Sequence, residues 1–319
     1  MRSRTKLMVT AAAVVLTACK RELPHDEPRG EPAPSLTVRG AEAPAATPTV
    51  VPASPRQNLA LEPAGDWEVA TPHAVIYDAS SDRYLVAATA AVVAIDPKTD
   101  AKPASFVANG KNGVMLRSPR ALAVDGKGTL YVTDGDTVHM FDAKSGAPKG
   151  NVVMQGATSL EGIAASGDGR VFVADSGLHG PDDKKPASGA VFVIDGGKPK
   201  TIAKDSSLGH PTALAFDGDL LRVATWDGSI YVLSEDGKKR DAIDTPRGQL
   251  DGLVVIKPFL WISSWKDRAV FRGLPTGNFA APLPDLDTPG GLGYDQPRER
   301  LLVPLVSKNR VQAYGEVKR

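Results

Sequence analysis

The chain has one cysteine, Cys19, no excess charge of either sign, and no apolar run comfortably long enough to cross a bilayer. Each absence excludes something. One thiol cannot close an intramolecular disulfide or build a cysteine-based zinc site, so neither a disulfide scaffold nor a zinc finger is available. The 38 Lys and Arg against 37 Asp and Glu give a formal charge of +1 with no basic stripe, which lends no support to a nucleic-acid partner. The five histidines show no His-x-x-x-His pairing, and no Gly-x-Ser-x-Gly or phosphate loop occurs. That argues against a paired-histidine metal site, a serine hydrolase and a P-loop nucleotide enzyme. Hydrophobic residues at 42% are ample for one large core and rule out disorder throughout. Turn residues are plentiful: 31 Gly and 26 Pro point to an all-β chain of short strands.

Arg2, Arg4 and Lys6 precede an apolar run from Leu7 to Ala18, the charged and apolar regions of a secretory signal. A membrane-spanning helix needs about 20 such residues. The run ends in Leu16-Thr17-Ala18-Cys19, which resembles the bacterial lipobox. The resemblance implies cleavage before Cys19 and lipidation of its thiol and new amino group; the alternative is an ordinary signal with a chance cysteine. Two or three acyl chains anchor far more firmly than one. Lys20 after the cysteine, by resemblance to Gram-negative sorting signals, implies the outer membrane. From Lys20 to Gly65 there are nine prolines and no sustained apolar period. This composition predicts a flexible tether spanning on the order of 40 Å, in which His25 is solvated. The expected units are therefore a signal over residues 1–18, a lipidated tether over 19–65 and a folded domain over 66–319.

Beyond Asp66 the chain repeats itself. Six segments align: Pro72-His73-Ala74-Val75-Ile76, Pro119-Arg120-Ala121-Leu122-Ala123, Leu160-Glu161-Gly162-Ile163-Ala164, Pro211-Thr212-Ala213-Leu214-Ala215, Leu250-Asp251-Gly252-Leu253-Val254 and Pro289-Gly290-Gly291-Leu292-Gly293. The third residue is always Ala or Gly and the fourth always aliphatic. The mean period is about 43 residues. Asp125-Gly126-Lys127-Gly128 is a hairpin signal, Leu130-Tyr131-Val132 a second strand, and a β-branched residue opens each third strand: Val92, Val138, Val191, Ile230, Val270 and Val311. Three or four strands at this period predict a six-bladed β-propeller. Small third residues suit innermost strands, which converge on the axis; the aliphatic fourth residue is expected against the neighbouring blade or its own sheet core. Too few residues follow Gly315 for a last strand, and Trp67-Glu68-Val69-Ala70 is available to close the ring, removing an exposed edge.

The repeats, notably Pro119 to Asp134, resemble NHL-type blades, and the domain resembles the senescence-marker-protein/gluconolactonase superfamily of six-bladed propellers. In such propellers the loop before each innermost strand and the loop between strands two and three share one face. His73, Arg120, Glu161, Thr212, Asp251 and Gly290 are then expected to ring the channel mouth, with Asp134, Asp175, Trp226, Ser264 and Trp265 nearby. A longer loop, Asp175 to Gly189, brings His179, Asp182 and Asp183 toward the same face. Charges and indoles together suit a small-molecule or peptide site, the ligand-binding set being His73, Arg120, Glu161, Trp226, Asp251 and Trp265. The bland alternative is a mouth that is polar because water fills it, with the two tryptophans packed between blades.

Family lactonases hold one divalent cation, calcium or zinc, on a Glu, an Asn and an Asp of the innermost strands. Glu161-Gly162 and Asp251-Gly252 resemble two parts of that pattern and make Glu161 and Asp251 the candidate metal ligands. No Asn holds a ring position, however, and Arg120 stands beside Glu161. Gly167-Asp168-Gly169 is read as a hairpin turn rather than a calcium loop. Two functions remain open. One is a cell-envelope lipoprotein, expected to be monomeric, whose propeller binds a small molecule or a protein. The other is a metal-dependent lactone or ester hydrolase, with Asp134 or Asp175 as the base that activates water.

Overall fold

A computed structural model describes residues 59–99, 101–110, 113–178, 188–245 and 248–317. The signal, Cys19, His25 and the tether up to residue 58 lie outside the described residues, as do His179, Asp182 and Asp183.

Six four-stranded antiparallel sheets make six blades; five are meanders running outward from the channel, and the sixth takes its outermost strand from the other end of the chain. The innermost strands are Ala74–Asp78, Pro119–Val124, Leu160–Ala165, Pro211–Asp217, Leu250–Ile256 and Gly293–Asp295. They correspond to the six aligned repeats. The hairpin at Asp125 shows why the repeat ends as it does. The Asp125 carboxylate accepts from the backbone N–H of Lys127 (2.9 Å) and Thr129 (2.8 Å), while Gly128 takes the positive φ of 76° that the turn requires. Outermost strands such as Lys198–Lys204 are mostly exposed, which is why their sequence pattern is faint.

The small third residue has a steric cause. A Cβ on Gly162 would lie 2.7 Å from the Thr212 carbonyl oxygen, and one on Gly252 would lie 2.6 Å from that of Gly290. Inner strands of adjacent blades approach to backbone contact at this level, so only Gly fits at these two positions and nothing larger than Ala stands at the others. The aliphatic fourth residues do two jobs. Val75, Leu122, Ile163, Leu214, Leu253 and Leu292 each belong to a different hydrophobic cluster, as expected, and all six also line the channel beneath its polar mouth.

The ring is closed by an N-terminal strand, Leu61–Glu68, paired antiparallel with Arg310–Glu316. This strand begins at Leu61 and stops before Val69, so it lies earlier than the expected Trp67–Ala70. The reason is register: Trp67 pairs with Val311 and Leu61 with Glu316, using the whole length of the partner. Trp67 also packs edge-on against Tyr84 of the first blade, with centroids 5.5 Å apart. On the face opposite the mouth, Arg298 bridges Asp82 (2.8 Å) and the fully buried Asp295 (3.0 Å), and the Tyr84 hydroxyl donates to Asp295 (2.7 Å). Blade 6 is thereby tied to blade 1 by side chains as well as by backbone.

Candidate functional site at the channel mouth

In blades 2 to 5 the pairing of the inner strand with the second strand slips at one place. Leu160 pairs with Asp175 but Gly162 with Ala174; Pro211 with Thr225 but Ala213 with Ala224; Leu250 with Ser264 but Gly252 with Ser263. In blade 2 the slip falls between Pro119 and Leu122. The residues left over are Arg120, Glu161, Thr212 and Asp251. Each of these four polar residues therefore sits in a β-bulge, the local device that re-aims a side chain out of the alternation of its strand, whereas His73 precedes an inner strand with unbroken register. These four and His73 line one channel of about 60 Å³, room for a few waters. Of the six residues expected at the ring, these five line the channel and Gly290 does not.

Arg120 lies between its neighbours. Its Nη1 is 3.1 Å from His73 Nδ1, and its Nε is 3.7 Å from Glu161 Oε2. Burial, followed by the Arg120 charge, pushes the His73 pKa down to about 4, so the ring is neutral near pH 7. Glu161 Oε1 accepts from the Ser159 hydroxyl at 2.6 Å. Ser159 was missed by sequence reasoning; its one signal is a hydroxyl two residues ahead of a bulged acid. Thr212 is buried and donates its hydroxyl to the Leu250 carbonyl at 2.6 Å, so it serves the scaffold.

Asp251 stands three blades from Arg120, on the opposite side of the ring. Its Oδ2 accepts from Trp265 Nε1 at 3.1 Å. Enclosure by the channel walls and the Glu161 charge push its pKa up to about 7, against the smaller opposing pulls of Arg120 and the indole N–H. Its only solvent is channel water. Trp265 meets Trp226 edge to face, centroids 5.5 Å apart at 71°. Both indoles are half-buried; Trp265 adjoins Asp251 through its N–H, and neither indole lines the channel itself.

Asp134 and Asp175 do not join this group. Asp134 accepts from the backbone N–H of Arg117 (2.7 Å) and Ser118 (2.8 Å). Asp175 accepts from those of Thr158, Ser159 and Gly177 (3.1, 2.8 and 3.1 Å). Each buried carboxylate locks the loop leading into its own blade's inner strand, and neither lines the channel. Asp227 repeats the arrangement in blade 4 through His210 N (2.8 Å). The expectation that Asp134 or Asp175 activates water is thus replaced by an anchoring role.

The metal expected on Glu161 and Asp251 does not suit the donors present. Among the described residues no three His, Cys, Asp or Glu side chains converge as ligands. A hard cation wants six or more oxygens. Here Glu161 faces a guanidinium, and the Thr212 between the two acids is turned into the scaffold.

No family model matches the sequence, and no curated protein sequence matches it. Solved structures do match in fold. A gluconolactonase of Xanthomonas campestris is similar at 19% identity and a TM-score of 0.64, over 82% of this chain and 90% of that one. An auxiliary nutrient-binding protein of Bacteroides thetaiotaomicron is similar at 9% identity and a TM-score of 0.59, over 79% and 70%. A chain of a nidogen–laminin complex follows at 14% identity and a TM-score of 0.55, over 70% and 85%. At these identities the shared property is the fold alone, a six-bladed propeller.

Proposed function

We propose that a small, oxygen-rich molecule of the sugar-lactone class seats on the rim of the mouth, with its carbonyl directed into the narrow channel, and is hydrolysed there without a resident metal. The observation that supports this reading most is the placement of Asp251 and Arg120 on opposite sides of one narrow mouth. In its ionised form Asp251 takes a proton from water, and the hydroxide adds to the lactone carbonyl carbon. Arg120 offers N–H donors to the oxygen that gains charge. The ring C–O bond then breaks, and its alkoxide recovers the proton from Asp251, giving a hydroxy acid. Trp226 and Trp265 supply a face for the sugar ring, and Trp265 holds Asp251 in orientation. The gluconolactonase among the fold neighbours supports the substrate class.

Capture without turnover is the second reading, favoured by Arg120 itself. Its pairing with Glu161 and His73 resembles a recognition clamp as much as a centre for reaction, and a nutrient-binding protein shares the fold. The purified protein incubated with aldonolactones, with ring opening followed by acid release, tests both. Saturable hydrolysis lost in Asp251→Asn supports the first; binding measured by calorimetry with no acid release supports the second.

We also propose that Cys19 is lipidated and carries the domain on the cell envelope, at the outer membrane of a Gram-negative cell, as a monomer. The support is the Leu16-Thr17-Ala18-Cys19 pattern and Lys20. Mass spectrometry of the mature protein checks it: an unmodified Cys19, or a retained Met1, contradicts the anchor.

A further inference from the structure

The mouth gathers two carboxylates, and what balances them is a guanidinium. We infer that Arg120 is the built-in cation of this site: it occupies the place of a divalent metal, keeps such metals out, and its removal uncovers a cation site on Glu161 and Asp251. The inference uses the same mouth as the function proposed above, but it does not depend on turnover there.

Arg120 sits in the bulge of blade 2 and meets the blades on either side of it, 3.1 Å from His73 Nδ1 and 3.7 Å from Glu161 Oε2. Its charge also reaches Asp251 across the channel, where it opposes the effect of Glu161. The titratable side chains around it in the mouth are His73, Glu161 and Asp251. A divalent ion entering between the acids would meet a fixed positive charge in a channel that holds only a few waters, which screen it less than bulk solvent does. The acids themselves are already oriented. One oxygen of Glu161 is held by Ser159 and one of Asp251 by Trp265, so neither needs Arg120 to fix its direction. Without the guanidinium, two carboxylates, channel waters and nearby carbonyls are the hard-oxygen donors that calcium or manganese takes.

The experiment uses the full-length protein in detergent, titrated with calcium, manganese and zinc chlorides by calorimetry, with thermal melting as a second readout. The wild type is expected to bind none up to about 1 mM. Arg120→Ala is expected to bind one ion with a Kd of about 10⁻⁴ to 10⁻³ M, the range of weak extracellular calcium modules. Adding Glu161→Gln to that variant should abolish the gain, and Arg120→Lys, which keeps a positive charge, should show none. Circular dichroism establishes folding, and Arg120→Gln substitutes if Arg120→Ala fails to fold. Stoichiometric binding by the wild type below 1 mM overturns the inference, and so does a folded Arg120→Gln or Arg120→Ala that binds nothing. Because hydrolysis is not read, a protein without lactonase activity leaves either outcome intact.

Discussion

Replacing Asp251 by Asn should stabilise the protein above neutral pH, although it alters a side chain central to the proposed chemistry. In the folded state the Asp251 carboxyl is pushed up to about 7 from 3.8, so the native state holds a proton there that the unfolded chain has released. Between these values the native state binds more protons than the unfolded one, and stability from this group falls as pH rises. Below about pH 4 the contribution is fully present, and above about pH 7 it is gone. At about 1.36 kcal/mol per pH unit, the interval from 3.8 to about 7 corresponds to a ceiling of about 4 kcal/mol. Channel water and movement of Arg120 reduce this to about 2 kcal/mol. Asn is uncharged at every pH, and its amide oxygen still accepts from Trp265 Nε1. Asp251→Asn should therefore match the wild type near pH 4 and exceed it by about 2 kcal/mol at pH 8, which for a domain of this size raises Tm by about 4 to 8 °C. Urea unfolding at a series of pH values measures it. Parallel stability curves for the two proteins, or a variant weaker than wild type at pH 8, would refute the reasoning.

Trp265→Phe removes the indole N–H that favours the ionised carboxylate, so the midpoint of the same pH dependence should move upward; an unmoved midpoint would remove Trp265 from its positioning role. Arg298→Met leaves the fully buried Asp295 without its cation and should cost about 3 kcal/mol in urea, with no effect on events at the mouth. Asp134→Ala should lower stability by about 2 kcal/mol through two orphaned backbone donors while leaving KM for a lactone unchanged, separating an anchor from a base. Gly162→Ala forces a Cβ to within 2.7 Å of the Thr212 carbonyl oxygen and should cost about 1 to 3 kcal/mol by the same assay.

The ring of blades was legible because its constraints are local and recur. Gly162 and Gly252 are small because the next blade's backbone is there, and Asp125 precedes its turn because the turn's N–H groups need an acceptor. Polar ring positions were legible for the same reason, since they are fixed by register relative to the small residue. What the sequence could not carry is how each polar side chain is used. Nothing in the letters of Leu160-Glu161-Gly162 signals a bulge, which is a relation between two strands. Asp134 and Asp175 look like spare acids near the mouth, and only the fold brings loop N–H groups to them from 16 and 17 residues away. The early start of the closing strand at Leu61 was hidden because Glu62, Pro63, Asp66 and Glu68 are exposed and a register slip between Pro63 and Gly65 breaks any alternation, so its composition resembles the tether before it.

Hydrolysis at the mouth without a metal, as proposed, is open to a direct test. The direct measurement is the rate of aldonolactone ring opening by the purified protein after exhaustive chelation, across pH 5 to 9, for the wild type and Asp251→Asn. Turnover is expected to survive chelation, to rise with pH through about 7 as Asp251 ionises, and to be lost in the variant. Turnover that appears only on adding a divalent cation, or that persists in Asp251→Asn, would contradict it.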